Sequence, residues 1–279
     1  MKMGLRITTL SENTAGRDGF LGEWGLGILV ESDEARILFD TGQSLSTVHN
    51  ARLLGIDLSQ IDKIVLSHGH FDHTGGLRHV LSEVGREMEV IAHPDIWAVK
   101  YSRREGQGDR YIGIPFHRQT LESLGARFNL TAEPVRISDS IMTTGEIPMV
   151  TDYEEIEPFL VVKDNGNFEP DKFRDDQALV IKTPPGLVVI LGCAHRGIIN
   201  TLYHARSLSG VKKIDTVIGG CHLMNASEER IWRTVAALKE LGVGRLGVCH
   251  CTGMAASVIM AQEFGDRFLQ NNAGTVLDL

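Results

Sequence analysis

Four residues able to bind metal ions fall within six consecutive positions: His68, His70, Asp72 and His73, in the run SHGHFDHTGG. Imidazole and carboxylate are the donors expected for zinc, iron or manganese. The apolar triplet Ile64-Val65-Leu66 comes just before them and reads as a buried strand. Residues two apart on an extended segment point the same way, so His68 and His70 could grip one ion together. Gly69 and Thr74-Gly75-Gly76 are expected to let the chain turn sharply, bringing Asp72 and His73 toward a second ion. The bland alternative is a surface turn that happens to collect three histidines and an aspartate.

The last third of the chain offers further donors, each just past an apolar run. Residues 186–192 lead to Cys193-Ala194-His195, 213–220 to Cys221-His222, and 245–248 to Cys249-His250-Cys251. Positions just past strand ends are where α/β folds gather their chemistry. Cys193 and His195, two apart, would face one side; His195 is a ligand candidate, while Cys193 reads equally as a ligand or a small buried apolar residue. A zinc site built on Cys-x-Cys alone is disfavoured, because no second cysteine pair completes a tetrahedron. Asp40-Thr41-Gly42 has no second copy, which excludes a paired-carboxylate protease. A better use for Asp40 is to accept the free ring N–H of a ligand histidine.

The elements that must position these groups follow from periodicity and punctuation. A strand is expected at 5–10, a hairpin from 25–30 and 35–40 around a polar turn, a helix at 46–54 and the delivering strand at 61–66. Helix 77–84 and strand 89–93 follow, with His93 structural, so strand, helix, strand implies a parallel pair with its helix outside. Segment 100–128 concentrates Lys100, Arg103, Arg104, Arg110, His117 and Arg118 among aromatic residues. It reads either as a substrate-gripping lid that binds phosphate or carboxylate, or as a solvated helix and loop. Segment 151–176 is acidic and reads as a rim insertion. Strands at 178–182, 186–192, 213–220 and 245–248 alternate with helices at 197–208 and 228–241, and 265–279 closes the chain as a helix end and a short strand. The two halves resemble each other coarsely, as a duplicated half-fold would.

Composition narrows the class. A chain of 279 residues with 42% hydrophobic and 23% charged residues is ordinary for a soluble protein. A formal net charge of −8 argues against general nucleic-acid binding. No apolar run is long enough for a signal peptide or a membrane span, and the four cysteines read as reduced thiols near a site, so a cytoplasmic protein is expected.

The H-x-H-x-D-H spacing resembles the signature of the metallo-β-lactamase superfamily, and the likeness runs from Leu38-Phe39-Asp40-Thr41-Gly42 to His250. It implies a single domain over 1–279: an α/β (α+β) four-layer αββα sandwich of two mixed sheets with helices outside. It also implies that His250 completes the second metal site. Many members place a histidine of the first site after a Thr-x-Gly turn; the corresponding residue here looks like Glu146, which leaves that ligand open. The bridging aspartate of the family corresponds to Cys193. SHGHFDHTGG, TTGEIP, DDQALVI, LGCAH, IGGCHL and HCTG together resemble one branch, the archaeal dihydropteroate-synthase analogues that make a dihydropterin–ribofuranosylaminobenzene phosphate.

The resulting expectation is an enzyme with two divalent ions, zinc first, with manganese, iron or magnesium as alternatives. His68, His70 and His195 would hold one ion, and Asp72, His73 and His250 the other, with Glu146, Asp176 or Cys193 joining. Asp72 would also act catalytically. Asp40, His222, Arg103, Arg104, Arg110 and His117 would serve the ligands or an anionic small molecule, a phosphate or pyrophosphate ester of pterin type. Hydrolysis through a metal-bound hydroxide and transfer on a metal-polarised phosphate both suit such a centre. A di-iron redox or sensing protein of the same fold is the alternative, and a metal-free scaffold the third. Neither nucleic acid nor a membrane is an expected partner, and the oligomeric state is left open.

Overall fold

A computed structural model describes residues 4–279, and three sheets organise it. The first has seven strands, in the order Val276–Asp278, Arg6–Ser11, Gly27–Glu31, Arg36–Phe39, Lys63–Val65, Met88–Ala92 and Ala126–Leu130. Its first four strands are antiparallel, and from Arg36–Phe39 onward the neighbours run parallel. The second has five, in the order Arg245–Cys249, Ile214–Gly220, Gly186–Leu191, Leu179–Thr183 and Ile141–Thr143. It repeats the plan: an antiparallel hairpin, then parallel strands. The coarse internal likeness expected of the two halves is therefore visible in strand direction.

Three apolar clusters mark the layers. Ile28, Ile37, Phe39 and Val65 of the first sheet meet Leu179, Ile181, Val188 and Ile190 of the second, forming a core between the sheets. Leu38, Ile64 and Val90 point the other way, under the helices Ser46–Leu53 and Leu77–Val84. Val189, Val217 and Leu246 pack under Ile198–Ser209, Glu228–Glu240 and Met254–Phe264. Strands buried on both faces read as continuous apolar runs rather than alternating ones, which is why these segments stand out in the sequence. The order helix, sheet, sheet, helix is the four-layer sandwich expected.

A third, four-stranded antiparallel sheet was not expected. It pairs Asn167–Pro170, Leu160–Asp164, Lys100–Ser102 and Arg110–Tyr111, so the supposed lid and rim are one structure. The missed signal is Asn165-Gly166, at φ 47° and 87°, the pattern of a two-residue hairpin turn; the acidic surroundings masked it. Segment 100–128 is also not one unit. Its end, Ala126–Leu130, is a strand of the first sheet, and Arg118–Ser123 packs over that sheet through Leu121. Helix Met254–Phe264 went unread because MAASVIMAQEF is apolar nearly all round and shows no stripe.

Candidate metal centre

Five of the parallel strands, Arg36–Phe39, Lys63–Val65, Gly186–Leu191, Ile214–Gly220 and Arg245–Cys249, lead into the donors or their support. Arg36–Phe39 ends at Asp40, fully buried and at φ 59°. Its Oδ1 accepts the Ser67 backbone N–H at 2.7 Å, and its Oδ2 accepts the Ser67 hydroxyl at 2.6 Å and His73 Nδ1–H at 2.7 Å. Ser67 Oγ then lies 2.9 Å from His68 Nδ1. One carboxylate thus fixes the ring of His73 directly and that of His68 through a hydroxyl, leaving both Nε2 atoms turned inward. Asp40 has the place expected for it, behind a histidine.

The glycines of the histidine run work differently from expectation. Gly75 and Gly76 have ordinary helical φ values of −68° and −75°, so the turn needs no left-handed backbone. They are needed for space: a Cβ on Gly76 would lie 1.9 Å from the Thr41 carbonyl oxygen.

His68, His70 and His195 form one donor group, with ring centroids 4.6 to 4.9 Å apart. Asp72, His73 and His250 form another, and Cys193 stands between them, its Sγ 3.1 Å from His73 Nε2. His250 is held by Asn13 Oδ1 on Nδ1 at 2.8 Å and by Glu12 on its backbone N–H at 2.9 Å, which leaves Nε2 3.4 Å from Asp72. The His68 and His70 Nε2 atoms and both nitrogens of His195 are buried with no hydrogen-bond partner. Burial pushes all three imidazoles well below their ordinary pKa, so they are neutral and keep a lone pair. Each orphaned polar atom costs roughly 1–3 kcal/mol unless something binds it. Facing neutral imidazoles with no partner fit a divalent cation. Burial also opposes charge on Asp72 and His73. Asp72 nevertheless stays ionised, its pKa lowered by His73 and His250, while Asp40 and Asp72 raise His73 to about 9.

Backbone strain gathers at the same site. Asp40, Phe173, Ala194, His222 and His250 all have positive φ, a conformation costing roughly 1–3 kcal/mol in a non-glycine residue. Phe173 stacks on His195 at 3.9 Å and 18°, and meets His70 edge-on at 5.2 Å. Beneath it is buried Lys100, whose ammonium donates to Asp171 at 2.7 Å and Asp175 at 2.9 Å. Asp175 also accepts the Gly69 N–H at 2.8 Å, between the two histidines, so this ion triad joins the third sheet to the ligand loop. Lys100→Met would leave two buried carboxylates unbalanced. The expected cost is about 3–5 kcal/mol of unfolding free energy. Urea denaturation measures it, and a loss under about 1 kcal/mol would show the triad is not structural.

A cavity of about 270 Å³ opens onto His70, Asp72, Cys193 and His222. Arg110 of the third sheet and Arg104 of the loop before it line it, their guanidinium groups 5.1 Å and 4.0 Å from the ring centres of Phe71 and Phe159. Trp24 lies alongside, 5.2 Å from the His250 ring. His222 enters from the second sheet, its Nε2 2.9 Å from Glu157.

Other sequence candidates lie elsewhere. Arg103 pairs with Asp109 at the surface, and His117 is exposed before the helix Arg118–Ser123. Glu146 pairs with Arg196 at 2.8 Å. Asp176, which burial raises to about 7, accepts the Arg196 backbone N–H. Among the described residues, neither joins the donor groups. The first group closes through His195 instead. The supports Glu12, Asn13, Glu157 and Phe173 escaped sequence reasoning; Lys100 reads there only as part of a basic lid, and Cys251, grouped here with Cys193 and His250, only as a thiol near the site.

This sandwich, with histidines, an aspartate and a cysteine converging at one edge, belongs to the metallo-β-lactamase superfamily, which residues 25–199 match. Over 98% of its length the chain is 36% identical to the 7,8-dihydropterin-6-methyl-4-(β-D-ribofuranosyl)-aminobenzene-5′-phosphate synthase of Methanocaldococcus jannaschii, covering 96% of that protein. The crystal structure of Tm1679, described as a metal-dependent hydrolase of the β-lactamase superfamily, superposes with a TM-score of 0.86 at 33% identity, with 99% of each chain covered. YhfI from Bacillus subtilis, a metallo-β-lactamase fold protein, shares the fold at a TM-score of 0.61 and 15% identity, over the whole of both chains.

No helix among the described residues is long and apolar enough to cross a membrane.

Proposed function

We propose that the protein is a dinuclear metal-dependent enzyme acting on a small molecule that carries a phosphate or pyrophosphate, of the pterin type named for its M. jannaschii relative. One observation carries this reading: two donor groups, His68-His70-His195 and Asp72-His73-His250, meet at Cys193 on the floor of a cavity lined by two arginines. When bound, two divalent ions supply Lewis acidity, lowering the pKa of water and neutralising charge that builds on a phosphoryl oxygen.

The chain's own residues do the rest. Arg104 and Arg110 bind the anionic end of the substrate, and as planar forks they suit a phosphate in a way lysine does not. Phe71, Phe159 and Trp24 offer flat apolar faces for a heteroaromatic ring. Asp72, kept ionised by its histidine neighbours, orients the attacking group, whether water or an arylamine. Arg104→Ala with Arg110→Ala should raise KM for an anionic substrate by about 100-fold or more, taking roughly 1.5–3 kcal/mol per charged hydrogen bond lost. An unchanged KM would remove the two arginines from substrate binding.

The decisive test is elemental analysis of the purified chain, followed by a screen of phosphoesters and pterin pyrophosphates. Close to two zinc or manganese ions per chain, with turnover on either class, is the expected result. A chain that takes up no metal after attempted reloading would sink the reading. Cys193 among the donors is the observation that favours the iron alternative: two irons per chain and a visible charge-transfer band would make the protein a redox or sensing one.

A further inference from the structure

His222 has no part in the two donor groups above, but it lies among further donors. Its Nε2 meets the Glu157 carboxylate at 2.9 Å, and its side chain is largely buried. Its Nδ1 is buried and has no hydrogen-bond partner. Its backbone is held at φ 48°, in a left-handed turn at the end of the strand Ile214–Gly220, with the backbone N–H donating to Cys251 Sγ at 3.3 Å. Its ring lies 4.0 Å from that of His195, which also has two unpartnered nitrogens. Donor atoms of Cys193, His195 and His222 fall within 4.8 Å of one another.

Proton-transferring histidines also pair with a carboxylate, but here the neighbouring ring, His195, has two unpartnered nitrogens as well. A carboxylate on one ring nitrogen and a buried second nitrogen without a hydrogen bond, in a ring that lies among other donors, is how proteins prepare an imidazole for a metal: the carboxylate fixes the tautomer and makes the free nitrogen more basic. Backbone strain at the same residue shows that the rest of the fold enforces this direction.

We propose that His222 is a metal ligand through Nδ1, acting with Cys193 and His195 on the cavity side of the centre, and that Glu157 holds it in place. The inference rests on the dinuclear reading. One sulfur and two nitrogens suit a borderline ion such as zinc, or cobalt(II) in its stead. Glu157 precedes the strand Leu160–Asp164 of the third sheet, and Arg110 belongs to that sheet with Arg104 in the loop before it, so the segments around that sheet also orient a ligand. Metal affinity and the placement of that sheet are thereby linked.

The test uses the full chain stripped of metal and titrated with cobalt(II) alone, following the d–d and thiolate-to-cobalt bands against a competing chelator. His222→Ala should weaken uptake of one ion by at least about tenfold and shift the d–d bands; Glu157→Gln should weaken it by about 10–100-fold with a smaller spectral change. Titration curves and spectra that superpose on those of the wild type would overturn the proposal while leaving the dinuclear reading intact. A wild-type chain that takes up no cobalt would instead defeat that reading itself. Should either variant fail to fold, a crystal structure of the zinc-loaded wild type decides: the proposal requires anomalous density about 2.0–2.1 Å from His222 Nδ1, and its absence there rejects it.

Discussion

His68→Ala with His70→Ala is expected to abolish turnover and to empty the first of the two proposed metal positions. The pair supplies two of the three imidazoles in that group, so the double substitution leaves His195 as its one remaining member. If a four-ligand zinc site is worth about 10–16 kcal/mol, two donors represent roughly 5–8 kcal/mol, a loss in affinity beyond about a thousandfold. Equilibrium dialysis against buffered zinc measures it, and retained turnover would refute the assignment. Stability of the stripped proteins should move the other way. Both Nε2 atoms are buried without partners, so their removal relieves a desolvation penalty that offsets the cost of the cavities left behind. The stripped double variant should therefore unfold within about 1 kcal/mol of the stripped wild type, or above it, whereas Lys100→Met should fall well below. A large loss on removing both histidines would mean that their rings are structural packing rather than a waiting ligand set.

How far the sequence reveals this centre follows from what each part depends on. The histidine run was legible because its donors are local: H-x-H-x-D-H on a strand end needs only the pleat and one turn to converge. His195, and Cys193 as one of two readings, were legible because an apolar run pointed to a strand end, while the role of His250 came from the family resemblance. The third ligand of the first group was ambiguous for a related reason. Glu146 and His195 both follow strands, and only the packing of the two sheets places His195 against His68 while Glu146 turns to Arg196. The supports were not legible at all. Lys100 read as part of a basic lid and Asp171 and Asp175 as part of an acidic rim, yet they form a buried triad because the segments 100–102 and 160–170 pair across a long sequence gap. Nothing local in Phe173 announces that its ring will stack on a histidine. Among the arginines, the pattern could not separate Arg104 and Arg110, which face the cavity, from Arg103, which does not.

Asp40→Asn tests the deepest layer of the site with a single atom. The asparagine keeps the shape, and asparagine tolerates the positive φ of this position better than most residues. Its oxygen can still accept the Ser67 backbone N–H, but the atom facing His73 Nδ1 becomes a donor. His73 must then accept on Nδ1 and carry its proton on Nε2, the nitrogen turned toward Cys193 and His250, where it can no longer offer a lone pair. A drop of about 10–100-fold in affinity for the second ion is expected from isothermal titration, with the first ion less affected. Unchanged affinity for both would show that Asp40 supports the fold but not the ligand. In the stripped protein the same substitution should also change the pH dependence of stability. His73 is raised from 6.5 to about 9, against the effect of burial, chiefly by Asp40 and Asp72. A raised imidazole contributes all of its stabilisation below its unfolded value and loses it as pH rises through its folded value. The gap in unfolding free energy between stripped wild type and Asp40→Asn should therefore be widest near about pH 6 and close progressively toward about pH 9–10. Denaturant titrations at these two ends measure it. A gap that stayed constant across the range would mean that the carboxylate acts through Ser67 alone, and that no charge on His73 is tied to it.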